Sequence, residues 1–284
     1  MIVVTSQATR RAEIEAMGAS AAIGDLGDGD FLKATFAQAD AAYCMVPLVV
    51  SGQGDSSEAM RTVAGNYRAA IESAQVRKVV LLSGWAADLL STGNLESVFD
   101  GLMKTSFTIL RPASFYSNFF SSLDLIRGKG ILGTFLALRH YGWGFLVGRR
   151  GLLMGILGGD DRTVFVSPLD IAEAAAEELT TPPQPGVTIR YVGSDEMTCN
   201  EAAALLGRAI GKPYLKWVRI SDRQMRQGLK MAGIPGPLAE LLVEMQSLMH
   251  RGLPLRNFHA NRPRLGRIKL TDFAQEFASA YVSQ

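Results

Sequence analysis

The chain has 284 residues, 48% of them hydrophobic and 20% charged, with a formal net charge of +2. That is enough for one large α/β domain or a domain with a smaller lobe, and the near-neutral balance excludes bulk electrostatic attraction to nucleic acid. The two cysteines, Cys44 and Cys199, lie far apart, which excludes a disulfide framework and a Cys-x-x-Cys metal site and points to a reducing, cytoplasmic compartment.

Ile2–Thr5 is a short β-branched run and reads as a buried strand. Thr9–Met17 has helical composition and stops at Gly18, a good residue to follow a helix. Ala21–Gly24 is the next strand, and Phe31, Leu32 and Phe36 then form one helical face. Ala41–Val46 is a strand stopped by Pro47, and a Gly/Ser-rich loop over Ser51–Ser57 leads into a helix through Tyr67 and Ile71. Val79–Leu82 and Phe107–Leu110 are two more buried strands, ending at Ser83-Gly84 and Arg111-Pro112. Short apolar strands alternating with helical segments predict βαβ units and a parallel sheet covered on both faces, a Rossmann-like α/β fold.

Beyond this the pattern becomes mainly helical. Ser167-Pro168-Leu169-Asp170 opens a helix with Ser as cap, and Thr198-Cys199-Asn200-Glu201 and Ser221-Asp222-Arg223-Gln224 are capping boxes. Gly211, Gly233 and Gly252 are helix stops, Leu238–His250 and Thr271–Tyr281 are helical, and Thr188–Val192 is a strand. The expected organisation is a core over 1–125, a basic apolar insertion over 126–163, and sheet completion with a helical lobe over 164–284. Within the insertion, Ile131–Leu157 is apolar but carries Arg139, His140, Arg149 and Arg150, which is costly for a spanning helix, so no transmembrane segment is expected. It reads as a lid, a homodimer contact, a solvated hairpin or a segment lying on an anionic membrane surface. MIVVTSQATRR has no basic region ahead of a long apolar run and does not read as a signal peptide. His140, His250 and His259 show no metal-ligand spacing, so no metal is expected. Asp160-Asp161 beside two glycines reads as a turn, and Cys44 as a buried thiol.

Seven segments, in order, carry a family resemblance: Ala22-Ile23-Gly24-Asp25, Val79–Ser83, Thr108–Asn118, Phe165–Leu179, Arg190–Glu196, Ala209–Trp217 and Lys269–Phe277. Together they resemble the NmrA-like atypical short-chain dehydrogenases. The resemblance implies an NAD(P)(H)-binding fold, shared by reductases and redox-responsive regulators. The family pattern opens with a strand, a G-x-x-G-x-x-G turn and a helix whose N-terminus receives the dinucleotide phosphates. This chain has no such motif, and in the family register Met1–Ser6 falls on the second strand. Three readings follow: the opening unit lies outside this sequence, the sheet has closed up around the gap, or Ile2–Thr5 fills the central slot.

The same register implies the site residues. Ser6, Arg10 and Arg11 would face the adenosine ribose, where arginine suits a 2′-phosphate. Asp25 would lie near the adenine, and Met45, Val46 and Pro47 along the crevice. Pro112 and Ala113 would border the cofactor, and Phe115, Tyr116 and Asn118 the substrate pocket. Each also has a plain structural reading, as an exposed helical turn, a turn aspartate, a strand end or packing between lobes. Ser83 holds the place of the serine that polarises a carbonyl in ordinary short-chain dehydrogenases. No tyrosine follows it before Tyr116, and no lysine lies between Lys78 and Lys104, so the Tyr-x-x-x-Lys pair of that chemistry is absent. Tyr116 is then the best-placed proton donor by sequence. The leading expectation is an NADP(H)- or NAD(H)-dependent reductase of a small apolar carbonyl or quinone, without nucleic-acid partners. The alternative is a non-catalytic, dinucleotide-responsive regulator.

Overall fold

The computed structural model describes residues 1–47, 56–91, 94–102, 104–128, 134, 138–142, 151–261 and 263–283. Residues 129–133, 135–137 and 143–150 of the insertion therefore lie outside the described residues, as do residues 51–55 of the Gly/Ser-rich loop. Two compact units form: Met1–Ser83 with Gly93–Leu110 and Glu177–Ile189, and Gly84–Thr92 with Arg111–Ala176 and Arg190–Gln284.

The first unit contains β1 (Ile2–Thr5), α1 (Arg11–Ala16), β2 (Ser20–Ile23), α2 (Gly29–Phe36), β3 (Ala41–Met45), α3 (Ser56–Ala74), β4 (Lys78–Leu82) and most of β5 (Ser106–Pro112). β1 pairs parallel with β2, Ile2 opposite Ser20 and Thr5 opposite Ile23. β3 pairs parallel with β4 and β4 with β5, and the strand Gly186–Val192 follows β5. The expected neighbours are thus neighbours, with the expected direction. The alternation of strands and helices leaves no other economical arrangement of these short runs.

β1 and β3 are not bonded to each other; the strands form a two-stranded and a four-stranded sheet. Among the described residues β1 pairs only with β2, and β3 only with β4. Asn66 of α3 donates from Nδ2 to the carbonyls of Leu26 (3.1 Å) and Gly27 (2.9 Å), anchoring the loop after β2 to α3. The next residue, Tyr67, donates its hydroxyl to the Met45 carbonyl (3.3 Å) at the end of β3. These anchors put the carboxyl ends of β2 and β3 on one side, so all the strands of β1 to β4 run alike. Gly24 permits the tight exit from β2, because a Cβ there would stand 2.6 Å from the Phe31 ring.

Burial within this unit is uneven. β4 and β5 are covered throughout, as expected of central parallel strands. On β3, Ala42 and Cys44 enter a core built with Leu32, Phe36, Val63, Tyr67 and Ile71 of α2 and α3. The alternate residues Tyr43 and Met45 remain 41% and 48% exposed, and Ile2 of β1 is 50% exposed. Full coverage of the sheet, predicted from the strand rhythm, therefore fails along β1 and β3. Each such side chain forgoes about half of the roughly 1.5–3 kcal/mol that complete burial of a large apolar side chain contributes.

The second unit holds β6 (Ser114–Phe115), α4 (Leu123–Ile126), β7 (Leu153–Gly155), β8 (Arg162–Val166), most of α5 (Pro168–Thr180), the end of β9 (Gly186–Val192), β10 (Asp195–Thr198), α6 (Cys199–Ala209), β11 (Trp217–Arg219), α7 (Asp222–Met231), α8 (Gly236–His250), α9 (Leu253–Asn261) and α10 (Leu270–Val282). β8 lies between β10 and β6, and β11 pairs with β7. Both capping boxes form: Thr198 and Glu201 on α6, Ser221 and Gln224 on α7. Gly211, Gly233 and Gly252 take φ of 71°, 76° and 70°, the left-handed conformation that ends a helix. Among the described residues no helix is long and apolar enough to cross a membrane.

Candidate functional site

A cleft of about 1010 Å³ lies in the first unit between the edges of β1 and β3, which among the described residues have no strand partner on that side. One wall is Met1–Gln7 with Arg10, the other Ala41–Tyr43 with Met45 and Pro47, and Gly24, Asp25 and Leu26 close the end. Five of the residues expected to meet the cofactor, Ser6, Arg10, Asp25, Met45 and Pro47, line this one cleft. They come together because every strand of the unit ends on the same side, the side on which open α/β sheets bind ligands.

The remaining expected contacts divide. Val46 turns the other way and packs on the core. Arg11 points along α1 and pairs with Glu15 at 3.4 Å, and Arg10 pairs with Glu13 at 3.4 Å. Both pairs are half-exposed and weak, so the Arg10 guanidinium remains able to take an anion at the rim. Asp25 accepts from the Gly27 amide at 2.6 Å, closing the turn after β2. It is thus a turn aspartate that also lines the cleft.

Ser83, at the end of β4, donates to the Glu96 carboxylate at 2.6 Å. Glu96 is buried, and its amide donates to Asn94 Oδ1 at 2.9 Å. Ser83 therefore fastens the strand end to the 3₁₀ turn Glu96–Phe99. Sequence reasoning missed Glu96, since no local pattern marks a carboxylate whose partner lies thirteen residues away.

In the second unit, Tyr116 is fully buried among Phe119, Ile126, Phe165, Phe273 and Phe277. Its hydroxyl donates to Asp195 Oδ2 at 2.9 Å, with the Ile268 carbonyl at 3.3 Å. Burial, then the Asp195 carboxylate, push the phenol well above its ordinary pKa. A phenol so placed holds its proton firmly and has no exposed surface on which a substrate could meet it. Asp195 also accepts from the Leu270 amide at 2.6 Å, so the pair fixes the start of α10. Phe115 is half-buried in β6, paired with Val166 of β8, and Asn118 is exposed. The Ala113 amide donates to the Val192 carbonyl at 2.9 Å, as sheet structure, and Pro112 ends β5. Arg111, which was passed over, is 4% exposed and pairs with Asp88 at 2.9 Å and the Tyr191 hydroxyl at 3.1 Å.

Asp160 and Asp161 sit in a turn: Asp161 accepts from the Gly158 amide at 2.6 Å and contacts His250, and Asp160 accepts from Asn200 at 3.0 Å. The cysteines are both buried, and desolvation pushes each thiol up to about 12. Neither should react with a disulfide reagent at pH 8 in the folded protein, since only the thiolate attacks. Titration should therefore find no reactive thiol before denaturant is added and two afterwards. One fast-reacting thiol in the native protein would contradict the burial.

A dinucleotide can be tested against these residues. Ser6, Arg10 and Asp25 around an apolar cleft fit the adenosine half and a 2′-phosphate, and the volume is ample for a nucleotide. The pyrophosphate is not fitted. It calls for glycine backbone at a helix N-terminus, whereas the first turn of α2 is already capped by Asp28, which accepts from Asp30 and Phe31 at 3.0 Å.

No family model matches the chain. It is 25% identical over 249 residues to the NAD(P)H azoreductase of Xenophilus azovorans, covering 85% of this chain and 76% of that protein. It is 24% identical over 183 residues to the agroclavine dehydrogenase of Claviceps fusiformis, covering 62% of this chain and 55% of the other. In structure it is similar to a triphenylmethane reductase of Citrobacter sp., with TM-score 0.70 at 15% identity, covering 98% of this chain and 90% of the reductase. It is also similar to an NADPH-dependent quinone oxidoreductase of Escherichia coli, with TM-score 0.68 at 18% identity, covering 97% and 89%. At these identities the structural match is one of fold. The chain is a Rossmann-like α/β protein, and proteins of this fold that it is similar to include reductases, dehydrogenases and a nucleoside-diphosphate-sugar epimerase.

Proposed function

We propose that the protein is an NAD(P)H-dependent oxidoreductase of the NmrA-like kind, reducing a small apolar carbonyl, quinone or related compound. The observation that carries this reading is the convergence of Ser6, Arg10, Asp25, Met45 and Pro47 on one cleft at the carboxyl ends of parallel strands. A bound dinucleotide supplies the hydride. This chain's part is to hold the adenosine end, with Arg10 taking a 2′-phosphate and the strand ends supporting the base. The named activities of the azoreductase and the quinone oxidoreductase support the reading.

Binding of adenosine 2′,5′-bisphosphate and of AMP, followed by calorimetry, tests it without needing the pyrophosphate. The bisphosphate should bind at least about tenfold more tightly, a difference of about 1.4 kcal/mol. Arg10→Ala should remove that preference while leaving AMP binding unchanged. Equal binding of the two nucleotides, or none of either, overturns the assignment of the cleft.

A second reading, a dinucleotide-responsive regulator without turnover, is favoured by one specific pair of observations. The Ser83 hydroxyl is committed to Glu96 and the Tyr116 hydroxyl to Asp195, so neither candidate acid is free. Steady-state assay of NADPH oxidation with quinones and azo dyes separates the two. Binding without turnover of any of them selects the regulator.

A further inference from the structure

We propose that the tip of the hairpin formed by α7 and α8 is a docking surface for an anionic lipid bilayer, with Met231 entering the headgroup layer. Residues 231–239, MAGIPGPLA, carry no charged or polar side chain. Leu238 and Ala239 are buried and Ile234 is half-buried, but Met231, Ala232, Gly233, Pro235, Gly236 and Pro237 are all exposed. Met231 is the extreme, at 83%. The turn between the helices explains part of this composition. Gly233 leaves α7 in the left-handed conformation, and Pro237 suits the first turn of α8. Neither requirement calls for an exposed methionine. A contiguous apolar surface rimmed by polar residues marks a place of contact with a partner or a membrane.

Charge selects the lipid surface. Arg223, Arg226 and Lys230 stand three and four residues apart, so they share one exposed side of α7 that leads to the tip. Arg226 pairs with Glu240 at 2.9 Å, whereas Arg223 and Lys230 have no ion partner among the described residues. The other acids of the hairpin are engaged: Asp222 accepts from the Ser247 hydroxyl at 3.0 Å, and Glu244 from the Ser91 amide at 2.8 Å. The bonds from Arg226 to Glu240 and from Ser247 to Asp222 also brace the two helices against each other, so the tip is presented on a firm support. α8 opens with no side-chain cap and no acid in its first turn, and its first amides add partial positive charge beside Met231. An apolar end collared by cations matches anionic headgroups lying over acyl chains. The tip of a second copy would instead bring like charges together.

The inference does not rest on the cofactor assignment, and its test uses no nucleotide. Binding of the full chain is read by co-sedimentation with vesicles of phosphatidylglycerol and phosphatidylcholine in equal parts, and with vesicles of phosphatidylcholine alone. The anionic vesicles should bind at least about tenfold more tightly, and less so as salt is raised. Arg223→Glu combined with Lys230→Glu should weaken that binding by at least about twentyfold, and Met231→Asp by about tenfold. Leu169→Asp, at an exposed leucine of α5 in the same unit, should change nothing. Both natural cysteines are buried, so a polarity-sensitive dye on Met231→Cys reports the tip alone. Its emission should shift to the blue with anionic vesicles only, a reading that also serves if a charge variant fails to fold. No binding to anionic vesicles, equal binding to both kinds, or a dye that stays in water while the protein binds overturns the proposal. Self-association that Met231→Asp abolishes, without vesicle binding, overturns it too and gives the tip to a second copy.

Discussion

Replacing Asp170 by alanine should cost the second unit about 3–5 kcal/mol, the largest single loss expected of a polar residue in this protein. Asp170 is 4% exposed in the first turn of α5. One carboxylate oxygen accepts from the Arg267 amide at 3.1 Å, and the other from the Ile268 amide at 3.2 Å and from the Ser194 hydroxyl. Ser194 is fully buried, and its oxygen in turn accepts from the Ser167 amide at 2.9 Å. The loop at Gly266 wraps so closely that a Cβ there would stand 2.3 Å from the Asp170 carboxyl carbon. Truncation therefore leaves several donors without acceptors and removes the clamp on the segment leading to α10. Asp170→Asn keeps an acceptor oxygen and should lose about half as much. Denaturant unfolding of both variants checks this, and a loss for the alanine variant under about 1 kcal/mol would show that water replaces the carboxylate without cost.

Gly151→Ala should be at least as damaging, with a loss of about 4 kcal/mol or more, or no folded protein. Gly151 has φ of 85°, and a Cβ on it would fall 1.7 Å from the Ile126 carbonyl oxygen and 2.4 Å from the carbonyl carbon. The obstacle is backbone, already fixed because Lys212 donates to the same oxygen at 2.6 Å. Gly211→Ala is the comparison. Its φ is 71° with nothing within 4 Å of the added atom, so it should cost only the left-handed penalty of about 1–2 kcal/mol. Similar melting temperatures for the two variants would mean that the segment at 151 shifts away from Ile126 easily.

These sites bear on function because the second unit's polar centre, Asp170, Ser194, Asp195 and Lys269, is the surrounding of Tyr116. Lys269 donates to the Ser194 and Gly266 carbonyls at 2.6 and 2.8 Å. The tyrosine that seemed by sequence to be the best proton donor is thus one member of a structural network. If the protein is a reductase, the proton delivered to product comes from another group or from water, and Tyr116→Phe should affect stability more than turnover.

The sequence by itself determined what depends on neighbours a few residues away. Strand runs such as Ile2–Thr5 and Val79–Leu82, the capping boxes at Thr198 and Ser221, and the stops at Gly211, Gly233 and Gly252 are set by local sterics and by hydrogen bonds spanning three or four residues. The parallel, alternating architecture followed from them. The rim formed by Ser6, Arg10 and Asp25 was legible for the same reason, since a residue just past a parallel strand must lie at the sheet's carboxyl edge. Only the tertiary structure decided the pairings between distant residues: Ser83 with Glu96, Tyr116 with Asp195, Arg111 with Asp88, and Asp170 with the loop at 266–268. Such partners share no periodicity, and a buried donor is satisfied by whichever acceptor the packing brings within 3 Å or so. The open cleft belongs to the same class. The sequence shows no glycine-rich turn, but that β1 and β3 would frame one cleft came only with long-range contacts such as those of Asn66 and Tyr67 to the ends of β2 and β3.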